Sequence, residues 1–182
     1  MCEIKFRTLR PDEIQCRVKS IDEEKGTGRR YVSILLYKDA RVDQNILDET
    51  VGPERWSKDY KEVNGLTYCR VGIKTESGEW VYKEDTGSDD SNFEREKALA
   101  SDSFKRAGFA WGIGRALYNS PKILCYVSES EIKWNPAANR DVLAAGVKFF
   151  VKSISYDDTA RNIISLTIVD QAGNVRFVYP RK

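Results

Sequence analysis

The chain has 182 residues, 41% hydrophobic and 32% charged, enough for a soluble globular domain with a real core and a small appendage. No stretch approaches the roughly 20 apolar residues that span a bilayer, so no membrane partner is expected. The net charge is only +2, so a role on nucleic acid requires basic residues gathered on one surface.

Residues 1–10 alternate charged and apolar side chains without a signal-peptide core. The cytoplasm is therefore the expected compartment, that of a bacterial host cell if the gene is carried by a phage. Pro11 to Ser20 reads as a short helix. Lys25-Gly26-Thr27-Gly28-Arg29-Arg30 is a flexible basic loop, and Tyr31 to Tyr37, rich in β-branched and aromatic residues, is a strand. Val42, Ile46, Leu47 and Val51 fall at helical spacing, and Gly52-Pro53 stops that helix. A β-meander follows: Trp56 to Val63, an Asn64-Gly65 hairpin turn, Leu66 to Thr75, and Glu79 to Lys83. Cys69, Val71 and Ile73 share one of its faces, and Tyr68, Arg70 and Lys74 the other.

Ser91-Asn92-Phe93-Glu94 has the form of a capping box, opening a helix from about Asn92 to Tyr118. Phe93, Ala100, Phe104, Ala107 and Trp111 make its apolar stripe. Gly108, Gly112 and Gly114 predict close backbone packing or a bend. In the tail, Gly146 to Tyr156, Asn162 to Val169 and Asn174 to Tyr179 read as strands, with Ile164, Leu166 and Ile168 on one face. The expected class is α+β: a β-strand and helix, then an antiparallel β-meander packed on one long helix (a β-β-β-α core), with a β-rich C-terminal extension. The expected division is a core over residues 1–120 and an extension over 121–182, packed on the core.

The chemistry is narrowed by what is missing. There is no histidine, hence neither the commonest general base nor the usual catalytic triads. Cys2, Cys16, Cys69 and Cys125 are far apart and form no C-x-x-C pair, which leaves a zinc site almost without ligands. No G-x-x-x-x-G-K-[ST] loop is present for nucleotide hydrolysis. The expectation is a protein that is not an enzyme and needs neither cofactor nor metal.

Three motifs carry a resemblance: G-P-E-R-W at Gly52 to Trp56, E-D-T-G at Glu84 to Gly87, and K-A-L-A-S-D-S-F-K-R-A-G-F-A-W-G-I-G-R-A-L-Y at Lys97 to Tyr118. From about Pro11 to Tyr118 the chain resembles the N-terminal annealing domain of the Rad-fifty-two/Rad-twenty-two recombination family, and its compact bacteriophage members of Sak type in particular. The resemblance implies a ring-forming subunit, a homo-oligomer of roughly ten or more copies. It also implies single-stranded DNA lying in a basic groove, and annealing of complementary strands without ATP in recombination and repair. A host single-strand-binding protein and a phage exonuclease are further partners it implies. The family's Lys-Arg pair on the long helix falls on Lys105 and Arg106, and an N-terminal arginine on Arg17. Its Gly-rich loop falls on Gly26 to Arg30, with Lys25, Arg29 and Arg30 as the cations, and a groove tyrosine falls on Tyr37. Phe109 stands where members can carry a further arginine, and residues 84–96 are mostly acidic, so an outer second DNA site is not evident.

Each residue also has a plainer reading. Lys105 and Arg106 suit a solvated helix face or a pairing with Asp102. Lys25, Arg29 and Arg30 suit an exposed turn beside Glu23 and Glu24. Tyr37, Trp56, Trp80 and Trp111 are core candidates, and Arg115 suits the C-terminal end of the helix dipole. Three rival functions stand beside annealing. Glu131-Ile132-Lys133 has the E-x-K form of a metal-dependent nuclease, with Asp89, Asp90 and Asp102 as further carboxylates. A meander followed by a helix also describes a double-stranded RNA-binding module. The third rival is a structural oligomer with no nucleic-acid role.

Overall fold

The computed structural model describes residues 4–88 and 95–180. In chain order the strands and α-helices are β1 (Ile14–Glu23), β2 (Arg30–Lys38), α1 (Ala40–Val51), β3 (Trp56–Val63), β4 (Leu66–Lys74), β5 (Trp80–Thr86), α2 (Arg95–Trp111), β6 (Ile123–Tyr126), β7 (Ile132–Asn135), β8 (Arg140–Leu143), β9 (Phe149–Tyr156), β10 (Ile163–Asp170) and β11 (Val175–Tyr179). The class is α+β, and every strand pairing among the described residues is antiparallel. The chain forms two compact units, one within Met1–Thr8 and Asp39–Arg115, the other within Leu9–Lys38 and Ala116–Lys182.

The first unit is the meander with its helices. Asp39 accepts from the Arg41 N–H to start α1, and Gly52, at φ 86°, ends it. Val63 pairs with Leu66 across Asn64-Gly65, whose φ values of 53° and 75° are the two positive angles of a type I′ turn. Cys69, Val71 and Ile73 are fully buried on one face of β4, the face α2 covers with Phe104 and Ala107. The start of α2, including the Ser91–Glu94 capping box and Phe93, lies outside the described residues.

The expected helix to Tyr118 ends earlier, at Trp111. Gly112 (φ 109°) and Gly114 (φ 68°) turn the chain, and Arg115–Asn119 continues as a 3-10 turn. Gly108 has the other predicted role. A Cβ there would lie 2.5 Å from the Asp43 carboxylate, so α1 and α2 approach through it.

The second unit is built on a six-stranded sheet in the order β11-β10-β9-β1-β2-β6, with β7 and β8 forming a separate ribbon. Val32, Ile34 and Leu36 of β2, Ile123 and Cys125 of β6, Val151 of β9 and Leu166 and Ile168 of β10 are buried and mark its core. Pro11 to Ser20 is not a helix: a single 3-10 turn, Pro11–Glu13, leads straight into β1. Ile14, Cys16 and Val18 alternate with Gln15 and Arg17, a period of two that suits a strand. Ile164 is also off its expected face. A bulge between Ile163 and Ser165 turns Ile163 inward, to 4% exposure, and leaves Ile164 at 53%.

Candidate nucleic-acid interface

On β2 the buried residues are Val32, Ile34, Leu36 and Lys38, so Tyr31, Ser33, Leu35 and Tyr37 point to the opposite face. Register carries that face across the sheet. Gln15 pairs with both Tyr37 and Phe150, Arg17 with Leu35, and Tyr31 with Tyr126. The face is amphipathic: Leu35 and Phe150 are about half exposed among tyrosines and arginines.

Two of the predicted residues meet there. Arg17, on β1, sits with its guanidinium carbon 3.4 Å from the centroid of the Tyr37 ring, a diagonal cross-strand contact. Arg29 makes the same contact 3.8 Å over Tyr126. Tyr126 in turn donates to Glu24 at 2.9 Å and meets Tyr31 edge-on at 6.4 Å. Both stacks leave the arginines exposed at the surface.

The basic loop is more ordered than its glycines imply. Glu24 N–H donates to the Arg29 carbonyl at 2.8 Å, Thr27 Oγ1 donates to the Glu24 carboxylate at 2.7 Å, and Gly26 and Gly28 take φ values of 88° and 70°. Lys25 projects into solvent from this turn. Arg30 has a different environment: Nη2 donates to Asp141 at 2.6 Å, and Nε is buried without a hydrogen-bond partner. Asp141 holds this guanidinium firmly in its charged form.

The Lys-Arg pair of α2 belongs to the first unit, and the structure separates its members. Lys105 is 6% exposed and lies 3.6 Å from Asp102, the pairing weighed above. The Arg106 side chain is 41% exposed and reaches Asp85 of β5 at 3.4 Å. Arg115 donates to the carbonyls of Phe109 and Ala110 at 3.1 and 3.0 Å, closing the end of α2 as its charge predicts.

The motifs behind the resemblance are largely joints of the first unit. Trp56 of the G-P-E-R-W segment donates to Asp48 at 2.6 Å and stacks on Phe104, with ring centroids 6.2 Å apart. In E-D-T-G, Thr86 donates to the Thr67 carbonyl at 2.9 Å and the Gly87 N–H donates to Ser103 at 2.9 Å.

Among the described residues no group of three His, Cys, Asp or Glu side chains could hold a metal ion. Glu131, of the E-x-K match, receives Arg176 at 2.9 Å, which holds its carboxyl below the usual range. Asp89 and Asp90 lie outside the described residues.

No protein-family profile matches the chain. Two curated proteins are similar to it. One is the single-stranded DNA-binding protein DdrA of Deinococcus radiodurans, 40% identical over 91 residues, which are 49% of this chain and 42% of the relative. The other is the single-stranded DNA-binding protein DdrA of Deinococcus deserti, 36% identical over 111 residues, 60% of this chain and 50% of the relative. The chain spans about half the length of the curated relatives it matches.

Reading the sequence alone missed Tyr126 and Tyr31 as partners of the arginines. The signal was available for Tyr126: in Ile123-Leu124-Cys125-Tyr126 the first and third residues are buried, and the fourth falls on the tyrosine face. It also missed Lys83, which donates to the Ala110 carbonyl at 3.1 Å and lies 4.6 Å over Trp111.

Proposed function

We propose that the chain binds single-stranded DNA through the tyrosine–arginine face of its six-stranded sheet, and anneals complementary strands as an ATP-independent, oligomeric DNA-repair protein. The observation that carries this reading is the pair of exposed arginine-over-tyrosine stacks on one sheet face, Arg17 on Tyr37 and Arg29 on Tyr126. A guanidinium held on a ring keeps its donors for phosphate while losing little rotamer freedom. The ring edges and the exposed Leu35 and Phe150 suit unstacked bases, which a duplex does not present. The two similar proteins are described as binding single-stranded DNA, which supports the same reading.

Annealing asks for no bond chemistry. It asks that two phosphate backbones be neutralised and their bases held ready to pair. Lys25 and Arg29 supply charge from the loop and Arg17 from the sheet, while Arg106 adds a site on the first unit. An assembly of many copies multiplies a modest affinity per subunit.

The test is a fluorescence annealing assay with complementary oligonucleotides, without nucleotide or magnesium. Acceleration over the spontaneous rate, lost in Arg17→Ala with Arg29→Ala, is the expected result. No acceleration by folded protein contradicts annealing.

A further inference from the structure

The ribbon β7–β8 meets the basic loop through Asp141, and it carries an exposed tryptophan. Trp134 is 57% exposed. An indole left in water at a hairpin is a poor contribution to folding and a good one to recognition.

Its position is well defined. Trp134 pairs directly with Asp141, so both side chains leave the same face of the ribbon. Asp141 is the residue that receives Arg30 at 2.6 Å. The basic loop and the tryptophan are thus joined through one ion pair, within the second unit. The turn itself is fixed, because Asn135 Oδ1 accepts from the N–H groups of Ala137 and Ala138 at 3.0 and 3.2 Å. The ribbon's remaining charges are Lys133 and Arg140, both exposed and, among the described residues, in no ion pair. Lys133 pairs with Val142 and Arg140 with Asn135, so both leave the ribbon face opposite Trp134. On the indole's own face Asp141 is neutralised by Arg30, which follows Lys25 and Arg29 of the basic loop, so the surface offers a flat apolar platform for a base close to loop cations suited to phosphates.

We infer that Trp134 stacks on a base of the single strand, with Lys25 and Arg29 of the basic loop taking adjacent phosphates and Arg30 acting as a positioning residue that docks the ribbon beside that loop. This rests on the single-strand-binding reading above and extends the interface into the tail. Stacking on a ring is tolerant of sequence, since every base has a face, so this contact needs no preferred sequence.

The experiment measures fluorescence anisotropy of a labelled oligothymidylate and an abasic oligonucleotide of equal length, with wild type, Trp134→Ala and Trp134→Phe. Trp134→Ala is expected to bind oligothymidylate more weakly by roughly 5- to 150-fold, the worth of one base–aromatic stack, and to bind the abasic strand as wild type does. Trp134→Phe, which keeps a ring, is expected to recover most of the loss. Equal binding of oligothymidylate by wild type and Trp134→Ala overturns the inference and leaves the interface reading intact. An equal loss on both strands overturns it too, because the tryptophan then acts on fold or phosphate rather than base. Absence of wild-type binding to either strand overturns both readings.

Discussion

Gly87 and Ser103 are joined by a 2.9 Å hydrogen bond from the glycine N–H to the serine hydroxyl, and the glycine fits there only because it has no side chain. A Cβ on Gly87 would lie 2.8 Å from the Ser103 nitrogen and 3.0 Å from the Leu99 carbonyl, both backbone atoms of α2. The same hydroxyl reaches the carbonyls of Leu99 at 2.7 Å and Thr67 at 3.0 Å, so one buried serine ties the exit of β5 and strand β4 to the helix. Gly87→Ala is expected to cost about 1–3 kcal/mol through overpacking. Ser103→Ala is expected to cost about 1–3 kcal/mol through buried groups left unpaired. Urea unfolding of both variants checks this; midpoints equal to wild type would contradict it.

Lys105 and Arg106 are adjacent in sequence and are expected to respond oppositely. Lys105→Ala removes a 6% exposed cation beside Asp102 and is expected to lower stability by about 1–3 kcal/mol. Arg106→Ala, whose side chain is 41% exposed, is expected to cost less than about 1 kcal/mol and to weaken DNA binding in a folded protein. Thermal melts and anisotropy on the two single variants separate the effects. A Lys105→Ala variant as stable as wild type but deficient in binding would return that residue to the interface.

Burial pushes the Cys16 and Cys125 thiols up to about 12 and the Cys69 thiol up to about 11. Thiolate, the reactive form, is scarce at neutral pH in all three. Alkylation followed by peptide mass spectrometry is expected to find these cysteines protected in the folded protein and modified in urea. Rapid labelling of Cys16 or Cys125 without denaturant would contradict the packing of the six-stranded sheet.

Acid is expected to weaken one joint of the second unit. The Arg176 guanidinium beside Glu131 holds its carboxyl below the usual 4.5, so the folded state favours the ionised form. The stabilisation is fully present above 4.5 and is lost as pH falls through the lower folded value. Glu131→Gln is expected to flatten that part of the acid limb in a stability–pH profile and to be less stable than wild type at neutral pH. Superimposable profiles would show that the pair contributes nothing.

Much of the first unit was legible because its punctuation is local. Asn64-Gly65 and Gly52 each require a positive φ, and alternation along Cys69, Val71 and Ile73 sets one face of β4. Lys105 was harder. It stands three residues before Gly108, on the side where α1 approaches, and a second covered face of α2 is invisible to a search for one apolar stripe. In the second unit, strand β1 was hidden by Pro11-Asp12-Glu13, which imitates a helix start although the residues after it alternate. The family resemblance points to Arg17 and Tyr37 one by one, but their contact depends on the β1–β2 register, which no local pattern states. The β7–β8 ribbon and Trp134 were unread because four-residue strands are too short to show a period.

The central claim is a single-strand interface built from arginines on tyrosines, and the most direct measurement is equilibrium binding of a single strand and a duplex of equal length by wild type and by Arg17→Ala with Arg29→Ala, between ~50 and ~200 mM salt. The account predicts tighter binding of the single strand, affinity that falls steeply with salt, and a shallower salt slope in the double variant. Equal affinity for the duplex, or a double variant that binds as wild type does across the salt range, would contradict it.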